Sequence, residues 1–407
     1  MIDAVALSKT VAIVLAGGQG SRLHELTARE CKPALPFARA HRIVDFAMAG
    51  LVRSGLSRII VATQYRPQTL TTHLGSTWAP ALPDHALSLR HGPAVAGDGG
   101  YLGTADVLRA NTALLDEMGA RELLIVAADH IYAMDFRPLL ASHKTGGAAV
   151  TVAAMPVPAA EASRFGILTV GAGGAGGEIA DFAEKPLTPA TIPDDPSHAL
   201  ASLGIYVIDW TWLKGLLHDP RVQDFGHDVI PAAVLSGDAA AWEWRGYWRD
   251  VGTLDSLRES WLDFDAPNTP CPLPVLPGMP MPVPEPGLMR ARFRARSNLG
   301  GMQLLSPPGG SSATRRWAAL DRSILMPGAR IGPGVRLTNV IVAPGTVIAG
   351  GMRIGEDPAE DARWFRQSGD TTLVSSAMLF RRGALRPRSY PLFSTRIGAA
   401  RSGMRTT

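Results

Sequence analysis

The sequence predicts an α/β fold in which a mostly parallel sheet is followed by a short parallel β-helix. First, short apolar runs alternate with helical patterns through the first 260 residues, which is the rhythm of a parallel sheet covered by helices on both faces. Second, prolines crowd into a stretch after residue 265. Third, an apolar repeat of six residues lies beyond that stretch, which is typical of a parallel β-helix.

Five apolar runs predict the strands of the sheet, because each ends at a polar residue or a glycine. They span residues 11–15, 59–62, 123–128, 150–153 and 205–208. Apolar residues at helical spacing follow Thr104, which we predict to be the N-cap of a helix. This order of elements predicts a Rossmann-like sheet whose ligands bind at the carboxyl ends of the strands.

The proline-rich stretch, from Ala266 to about Pro308, cannot hold a helix or a central strand and predicts a linker. Beyond it, apolar residues recur every six positions in three series: Ala329, Val335, Ile341 and Val347; Leu325, Ile331 and Leu337; and Val342, Ile348 and Ile354. An irregular, glycine- and proline-rich sheet edge is the alternative to a β-helix, since only about two coils are visible. We predict four segments: 1–264, an α/β domain; 265–318, a linker; 319–380, the β-helix and a C-terminal segment; 381–407, a flexible basic tail.

Composition excludes several classes of protein. The formal charge is +4, and the basic residues before the tail are scattered rather than gathered in a stripe, so we expect no nucleic-acid partner. The two cysteines, Cys31 and Cys271, lie far apart without nearby metal-ligating residues, which fits a reducing compartment. No signal peptide or membrane-spanning window is visible, so we expect a cytoplasmic protein without membrane contact.

The first predicted strand leads into a glycine-rich turn, VLAGGQGSRL. Glycines after a strand let the backbone approach a phosphate, and successive N–H groups there form an anion cradle. The turn is not a dinucleotide fingerprint, because Leu23 stands where the third glycine belongs. It is not a Walker loop either, because no Gly-Lys-Ser/Thr follows. A glycine turn with a purely structural role is the alternative.

Two cations, Arg22 and Lys32, follow this turn closely in sequence. Fixed cations beside a phosphate cradle can neutralise a triphosphate and the departing pyrophosphate, where negative charge accumulates as the α–β bond breaks. The alternative is that both are ordinary surface residues, and this alternative is weaker for Arg22 than for Lys32. Together these groups predict a site for a nucleoside triphosphate.

Two acidic residues are candidate ligands of Mg²⁺. Asp129 follows an apolar strand in LLIVAADHIY, and a carboxylate at that edge can share the ion with substrate phosphates. A helix-capping aspartate is the alternative. Asp250 in YWRDVGT is the second candidate, although such an acid alone is more often a turn residue. His130 lacks a partner motif for nucleophilic or metal chemistry, so we interpret it as a packing or hydrogen-bonding residue.

Taken in order, these segments resemble the glucose-1-phosphate adenylyltransferase family, the ADP-glucose pyrophosphorylases of bacterial glycogen synthesis. The resemblance covers about residues 11–264 and resumes over about residues 322–379. It rests on LAGGQGSRL, KPALPF, RIVDFA, ATQYRPQTL, GTADVL, ADHIYAMDF, MPVPAAEASRFGIL, FAEKP, SLGIYVID, DFGHDVIP, YWRDVGTL and GEDPAEDARWFR. So many ordered motifs make an accidental match very improbable.

The resemblance implies a homotetrameric, Mg²⁺-dependent enzyme acting on ATP and glucose 1-phosphate, with a C-terminal β-helix that is left-handed. By matching motif, the nucleotide would be bound by Leu15, Ala16, Gly17, Gly18, Gln64, Gly103 and Thr104. The catalytic residues would be Arg22, Lys32 and Asp129. The metal ligands would be Asp129 and Asp250. Glucose 1-phosphate would be held by Tyr101, Gly166, Glu184, Lys185 and Ser202.

Several positions depart from the family pattern where regulation is expected. Glu30 stands where a basic residue is usual, Pro36 replaces a histidine, and Gly100 replaces an aromatic residue. These departures argue against inhibition by AMP, whereas a sugar-phosphate effector is still expected. Its anion contacts would be Arg29, Arg42, Arg363 and Arg366.

Two other functions remain open. A nucleotidyltransferase of the same fold could use another base or another phosphate, such as a cyclitol phosphate, and the fold alone does not choose between them. A non-catalytic regulatory subunit would bind effectors and assemble with an active partner. Retention of Arg22, Asp129, Lys185 and Asp250 argues against that second reading.

Overall fold

The computed structural model describes residues 4–38, 40–171, 177–266, 268–278, 298–299, 302–305 and 318–385. Most of the predicted linker, and residues 386–407 of the predicted tail, lie outside the described residues. Residues 381–385 were predicted as part of the flexible tail but form the end of a helix. Within the described residues, no helix has both the length and the apolar character needed to cross a bilayer.

The first 265 residues carry thirteen strands and ten helices in the described ranges, with short 3₁₀ and π turns between them. The strands are Thr10–Ala16 (β1), Pro36–Phe37 (β2), His41–Arg42 (β3), Ile59–Thr63 (β4), Leu87–His91 (β5), Glu122–Ala127 (β6), His130–Tyr132 (β7), Val150–Pro158 (β8), Gly166–Val170 (β9), Ile179–Glu184 (β10), His198–Asp209 (β11), Ala239–Glu243 (β12) and Trp248–Asp250 (β13). The helices are Ala4–Leu7 (α1), Val44–Arg53 (α2), Gln68–His73 (α3), Gly92–Ala96 (α4), Asp106–Ala110 (α5), Thr112–Glu117 (α6), Arg137–Gly146 (α7), Trp210–Leu216 (α8), Ile230–Leu235 (α9) and Leu254–Asp265 (α10).

The main sheet has nine strands, and its central path runs β10-β9-β11-β6-β1-β4-β5. Strands β6, β1, β4 and β5 are parallel to one another. Strand β11 runs antiparallel to β6, β8 and β9, and β12 joins β8 in parallel. All five predicted strands are therefore confirmed as members of one sheet.

Alternate residues of the parallel strands pack into two separate cores. Val11 and Ile13 of β1 belong to the core on one face, whereas Ala12 and Val14 belong to the core on the other. All four side chains are at most 1% exposed. Because both faces are covered, the strand reads as a continuous apolar run rather than an alternating one, and this run is what made the strand predictable.

The expected helix after Thr104 is divided into α5 and α6, and Thr104 is not its N-cap. Ala105 occupies the cap position of α5 without a side-chain capping bond. The Thr104 hydroxyl instead donates to Asp224 Oδ2 at 2.9 Å and accepts from the Phe225 backbone N–H at 3.0 Å. The hydroxyl therefore ties this loop to the loop before α9 rather than to its own helix.

The C-terminal part is a short left-handed parallel β-helix, as predicted. Its elements are Asn298–Leu299 (β14), Met302–Leu305 (β15), Ala318–Asp321 (β16), Ile324–Leu325 (β17), Arg330–Ile331 (β18), Arg336–Thr338 (β19), Val340–Val342 (β20), Val347–Ile348 (β21), Arg353–Ile354 (β22), Pro358–Ala362 (α11), Arg366–Ser368 (β23), Thr371–Val374 (β24) and Ser376–Leu385 (α12). Parallel pairs form three walls: β16-β19-β22, β17-β20-β24 and β18-β21. Strands β14 and β15 lie within the segment 265–318, after its densest run of prolines.

The predicted series Val342, Ile348 and Ile354 is confirmed, since all three residues are fully buried in the coil, whereas the series that contains Ile341 and Val347 is wrong in part. Val347 is 61% exposed, whereas its neighbour Ile348 is fully buried among the coil residues. Ile341 is buried, but in the core that contains Leu257 and Trp261 of α10. Because successive side chains of a strand point to opposite faces, β20 fills the coil with one face and contacts α10 with the other.

Helix α10 joins the two parts of the molecule. Beside the apolar contact, Arg258 is 2% exposed. Its Nε donates to Thr371 Oγ1 at 2.9 Å, and its Nη1 donates to Asn339 Oδ1 at 2.7 Å and to the Arg322 carbonyl at 3.1 Å. All three acceptors belong to the β-helix, so one guanidinium secures it on the α/β domain.

Candidate active site

The glycine turn and Asp129 follow two neighbouring parallel strands of the sheet. Leu15 of β1 is paired with Ala127 of β6, and the Ala128 N–H donates to the Leu15 carbonyl at 3.1 Å. Both strands end at the same edge, so the chain delivers Gly17 and Asp129 side by side. This edge is where ligands bind in open α/β sheets.

Asp250 reaches the same place through a two-stranded ladder. Strand β13 pairs antiparallel with β7, and Asp250 is the partner of His130 in that register. His130 directly follows Asp129 in the chain. An acid remote in sequence is thereby brought beside the first one.

Lys32 lies between the two acids. Its Nζ is 2.8 Å from Asp129 Oδ2 and 2.9 Å from Asp250 Oδ1, and the residue is only 4% exposed. Gly20, at φ 64°, packs against it, because a Cβ at that position would lie 3.1 Å from the Lys32 Cβ. The glycine therefore serves both the left-handed turn and the close packing of the lysine stem.

Arg22 lies near Asp250 across Gly252. A Cβ at Gly252 would lie 2.9 Å from Arg22 Nη2 and 2.9 Å from Asp250 Oδ2. The missing side chain thus leaves the space that lets the guanidinium and the carboxylate share the site. Arg22, Lys32, Asp129 and Asp250 are brought together as the sequence predicts.

His130 also belongs to this cluster, which the sequence reasoning missed. Its Nε2 is 3.6 Å from Asp129 Oδ1 and 3.8 Å from Asp250 Oδ1, and its ring packs edge-on against Trp248 with centroids 5.0 Å apart. The signal available in the sequence was its position directly after a candidate ligand. Among the described residues, His130 Nδ1 and Trp248 Nε1 are buried atoms without a hydrogen-bond partner.

The charges of the cluster keep both acids ionised. Burial opposes ionisation of Asp250, but the Lys32 ammonium outweighs it and the pKa of Asp250 falls to about 2. The same balance of burial against the Lys32 charge lowers the pKa of Asp129. Burial also opposes the charge on Lys32, yet the two carboxylates raise its pKa. At neutral pH the site therefore holds two carboxylates and an ammonium.

The donor set fits a divalent cation that prefers oxygen ligands. Two ionised carboxylates converge on one cationic atom, Lys32 Nζ, and Mg²⁺ is usually held by one or two carboxylates plus substrate phosphates. In the described part of the chain, no three His, Cys, Asp or Glu side chains form a group that could hold a metal by themselves. The remaining ligands of such an ion would come from phosphates and water.

Of the residues predicted to bind the nucleotide, Gly17 and Gln64 are close neighbours, whereas Gly103 contacts another loop. A Cβ at Gly17 would lie 3.6 Å from the Gln64 Cβ. The Gln64 amide accepts from the Tyr101 N–H at 2.6 Å and donates to the Tyr101 carbonyl at 3.1 Å. Gly103 packs on the Gln223 carbonyl, which would lie 2.2 Å from a Cβ there. Leu15, Ala16 and Gly18 lie in β1 and the turn that follows it.

Tyr101, predicted to hold the sugar phosphate, is bonded through its backbone to the Gln64 side chain. Tyr101 is buried, and its hydroxyl donates to the Arg90 carbonyl at 3.3 Å. The same hydroxyl accepts from Asn111 Nδ2 at 3.5 Å. Burial raises the pKa of Tyr101. The ring therefore supports the loop that carries Gly103 and Thr104.

The other predicted sugar-phosphate residues form a second cluster. Glu184 of β10 pairs with Gly166 of β9, and its Oε2 would lie 2.9 Å from a Cβ at Gly166. Lys185 Nζ is in contact with Glu184 Oε1. The Ser202 hydroxyl donates to Tyr206 Oη at 3.5 Å. Tyr206 was not predicted, and burial together with the charges of Glu184 and Asp224 raises its pKa to about 12.

Aromatic rings connect the two clusters. Trp248 packs against His130 on one side and against Phe165 on the other, with centroids 5.4 Å apart. The Phe165 carbonyl accepts from the Lys185 N–H at 3.0 Å. A triphosphate held beside Asp129 and a sugar held beside Glu184 would therefore lie on one continuous surface.

The four arginines expected to contact an effector do not share one environment. Arg363 and Arg366 line a cavity of about 260 Å³ together with Arg381 and Glu25, and Arg366 Nη2 lies 3.1 Å from Glu25 Oε1. Arg42 is held instead by Glu30, with Nη1 3.4 Å from Oε2, and by the Ala34 carbonyl. Arg29 is exposed.

The arrangement can bind a polyphosphate and neutralise the negative charge that shifts when one of its bonds breaks. Backbone N–H groups of the glycine turn and the exposed Arg22 can bind phosphate oxygens, and the two acids near them can hold a metal ion. No side chain stands as an activated nucleophile in this cluster. Such a site favours direct transfer between two bound substrates.

Comparison with known proteins agrees with this chemistry. Residues 11–265 match the nucleotidyl transferase family, and residues 309–374 match the GlmU-like C-terminal hexapeptide family. The chain is 35% identical to glucose-1-phosphate adenylyltransferase of Jannaschia sp. (strain CCS1), over 92% of this chain and 97% of that protein. It is 36% identical to the proteins of that name from Cereibacter sphaeroides (strain ATCC 17025 / ATH 2.4.3) and Enterobacter sp. (strain 638), over 91% of this chain and 96% and 94% of theirs. Since these relatives match along nearly their whole length, the chain belongs to the glucose-1-phosphate adenylyltransferase family of nucleotidyltransferases.

Proposed function

We propose that the protein forms ADP-glucose and pyrophosphate from ATP and α-D-glucose 1-phosphate, with Mg²⁺ as cofactor, for glycogen biosynthesis. One observation carries the proposal most directly: Asp129 and Asp250 converge within 3 Å of the Lys32 ammonium beside the glycine turn. The names of the similar proteins support the choice of ATP and glucose 1-phosphate. A site that retains all of these charged groups is not what a non-catalytic subunit needs.

The reaction is an in-line displacement at the α-phosphorus of ATP. An oxygen of the sugar phosphate forms the new bond to phosphorus while the bond to the β-phosphate oxygen breaks, and pyrophosphate leaves. The attacking oxygen is already ionised, so no general base is required. Catalysis then depends on positioning and on neutralising charge.

Each cluster has a separate task in this scheme. The N–H groups around Gly17 and Gly18 bind phosphate oxygens, and Arg22 stabilises the negative charge that collects on the departing pyrophosphate. Asp129 and Asp250 would hold Mg²⁺, which supplies neutralisation and orientation of the phosphates when bound.

The second cluster orients the sugar. The Glu184 carboxylate can accept hydrogen bonds from sugar hydroxyls, and the Ser202 hydroxyl can donate to them or accept from them. Lys185 can reach the sugar phosphate. Lys185 is exposed, and its backbone is in the left-handed region at φ 47°. Its ion pair with Glu184 holds it at the edge of the cluster until substrate binds.

Regulation, assembly and location are further parts of the proposal. A sugar-phosphate effector would bind the cavity lined by Arg363 and Arg366, where several guanidinium groups face one space. The family membership supports a homotetramer. The free thiols of Cys31 and Cys271 support a reducing, cytoplasmic location.

The test is pyrophosphate release with glucose 1-phosphate and each of ATP, UTP, dTTP and GTP, repeated with sugar-phosphate effectors. We expect release with ATP to exceed release with the other nucleotides, and to require both Mg²⁺ and glucose 1-phosphate. Omitting glucose 1-phosphate controls for simple hydrolysis of the nucleotide. Activity with UTP or dTTP but not with ATP would overturn the adenylyl assignment.

A further inference from the structure

Lys32 occupies the point at which the two acidic side chains converge. Its ammonium is within hydrogen-bond distance of both Asp129 and Asp250, so it already holds the position between the carboxylates that a bound cation would take. The side chain is almost fully buried, and burial strengthens the attraction between such charges. A free divalent ion must therefore displace a cation that is already in place.

The backbone that carries the two acids is positioned by strand pairing and not by the lysine. Asp129 follows β6, and Asp250 is fixed by the pairing of β13 with β7. If the ammonium were removed, two like charges would remain close together in a partly buried site. Such a pair has a strong tendency to bind another cation.

We propose that Lys32 is a built-in counter-cation that keeps the paired carboxylates from binding a free divalent ion, so that the metal enters the site together with the nucleotide. A triphosphate offers the lysine a second anionic partner and offers the metal additional oxygen ligands. Lysine suits this exchange because its ammonium is a compact charge on a flexible stem. The inference rests on the proposed function, since it concerns the metal of the same site.

The test measures Mn²⁺ binding to the metal-free full-length protein without nucleotide, by the loss of the free-ion electron paramagnetic resonance signal. Removing the ammonium in Lys32→Met should tighten Mn²⁺ binding by about tenfold or more, because the competing charge is gone. Lys32→Gln, which keeps a hydrogen-bonding side chain, should act in the same direction. A merely structural lysine would weaken metal binding when it is removed.

Two variants serve as controls. Lys214→Met removes another lysine that pairs with an aspartate, since Lys214 Nζ lies 2.6 Å from Asp116 Oδ2, and it should leave Mn²⁺ affinity unchanged. Asp129→Asn in the Lys32→Met background should abolish the gain. Circular dichroism establishes that each variant is folded.

Equal or weaker Mn²⁺ binding by folded Lys32→Met or Lys32→Gln overturns the proposal. If neither variant folds, the wild-type titration decides, because Mn²⁺ binding as tight without nucleotide as with a non-hydrolysable ATP analogue also overturns it. Pyrophosphate release by the wild type is measured separately. A negative result in the metal titration with release intact rejects only the counter-cation role, whereas absence of release rejects the proposed function itself.

Discussion

Gly252 lies beside both the Arg22 guanidinium and the Asp250 carboxylate. A methyl group there would press on the Arg22 guanidinium and on both oxygens of Asp250. The Asp250 carboxylate is held by Lys32, so it cannot move aside freely. Gly252→Ala should therefore lower kcat for pyrophosphate release by roughly a hundredfold, since small displacements in a positioned site are costly.

Gly215→Ala is the matched control for Gly252→Ala. A Cβ at Gly215 meets no atom within 4 Å, and the residue lies within α8, where alanine is favoured over glycine. Its kcat should be unchanged and its melting temperature equal or higher. Full activity of Gly252→Ala, with the fold verified by its melting curve, would contradict the close fit described for Arg22 and Asp250.

Single residues were predictable where their chemistry was tied to a strand end. Asp129 and Gly17 directly follow apolar runs, so their edge of the sheet could be predicted. His130 and Trp248 could not, because an imidazole or an indole has a role only after its neighbours in space are known. Tyr101 shows a related limit, since nothing in its local sequence indicates that its backbone is bonded to the side chain of Gln64.

The elements that assemble the site are very short. Strands β7 and β13 have three residues each and pair across a long stretch of sequence. Pairing at such distance leaves no periodic signal in either strand, whereas the long buried strands of the main sheet do. The convergence of Asp129 with Asp250 was therefore expected from the resemblance and not from local pattern.

Helix α10 makes a prediction of its own through Arg258. Arg258→Met removes three donated hydrogen bonds to the β-helix while keeping a long apolar stem. We expect it to destabilise the protein by about 2 kcal/mol, because hydrogen bonds from a buried charged group are lost. Chemical denaturation measures this change, and limited proteolysis reports whether the β-helix is released first.

The exposed Arg221 provides the control for Arg258. It pairs only with the nearby Asp219 in the described structure, at 2.7 Å, and exposed pairs contribute about 0–1 kcal/mol. Arg221→Met should therefore leave the denaturation curve nearly unchanged. If Arg258→Met were as stable as Arg221→Met, the guanidinium would not secure the β-helix.

At the scale of the whole molecule, the fold class followed from composition and periodicity, but the contact between the two parts did not. The six-residue repeat predicted a β-helix, and Ile341 was expected to face its interior. It faces α10 instead. The sequence could not distinguish the two environments, because a residue buried between domains has the same apolar character as one inside a coil. Periodicity reports that a side chain is buried and not which neighbour covers it.

The central claim is that two acids remote in sequence act as one metal-binding unit in nucleotidyl transfer. Pyrophosphate release from ATP and glucose 1-phosphate by Asp129→Asn, Asp250→Asn and the double variant tests it most directly, with Asp219→Asn as a surface control. We predict a loss of at least about a hundredfold in each single variant and little further loss in the double variant, because residues acting as a unit are not additive. Unchanged release in either folded single variant, or losses that multiply as for independent sites, would contradict the account.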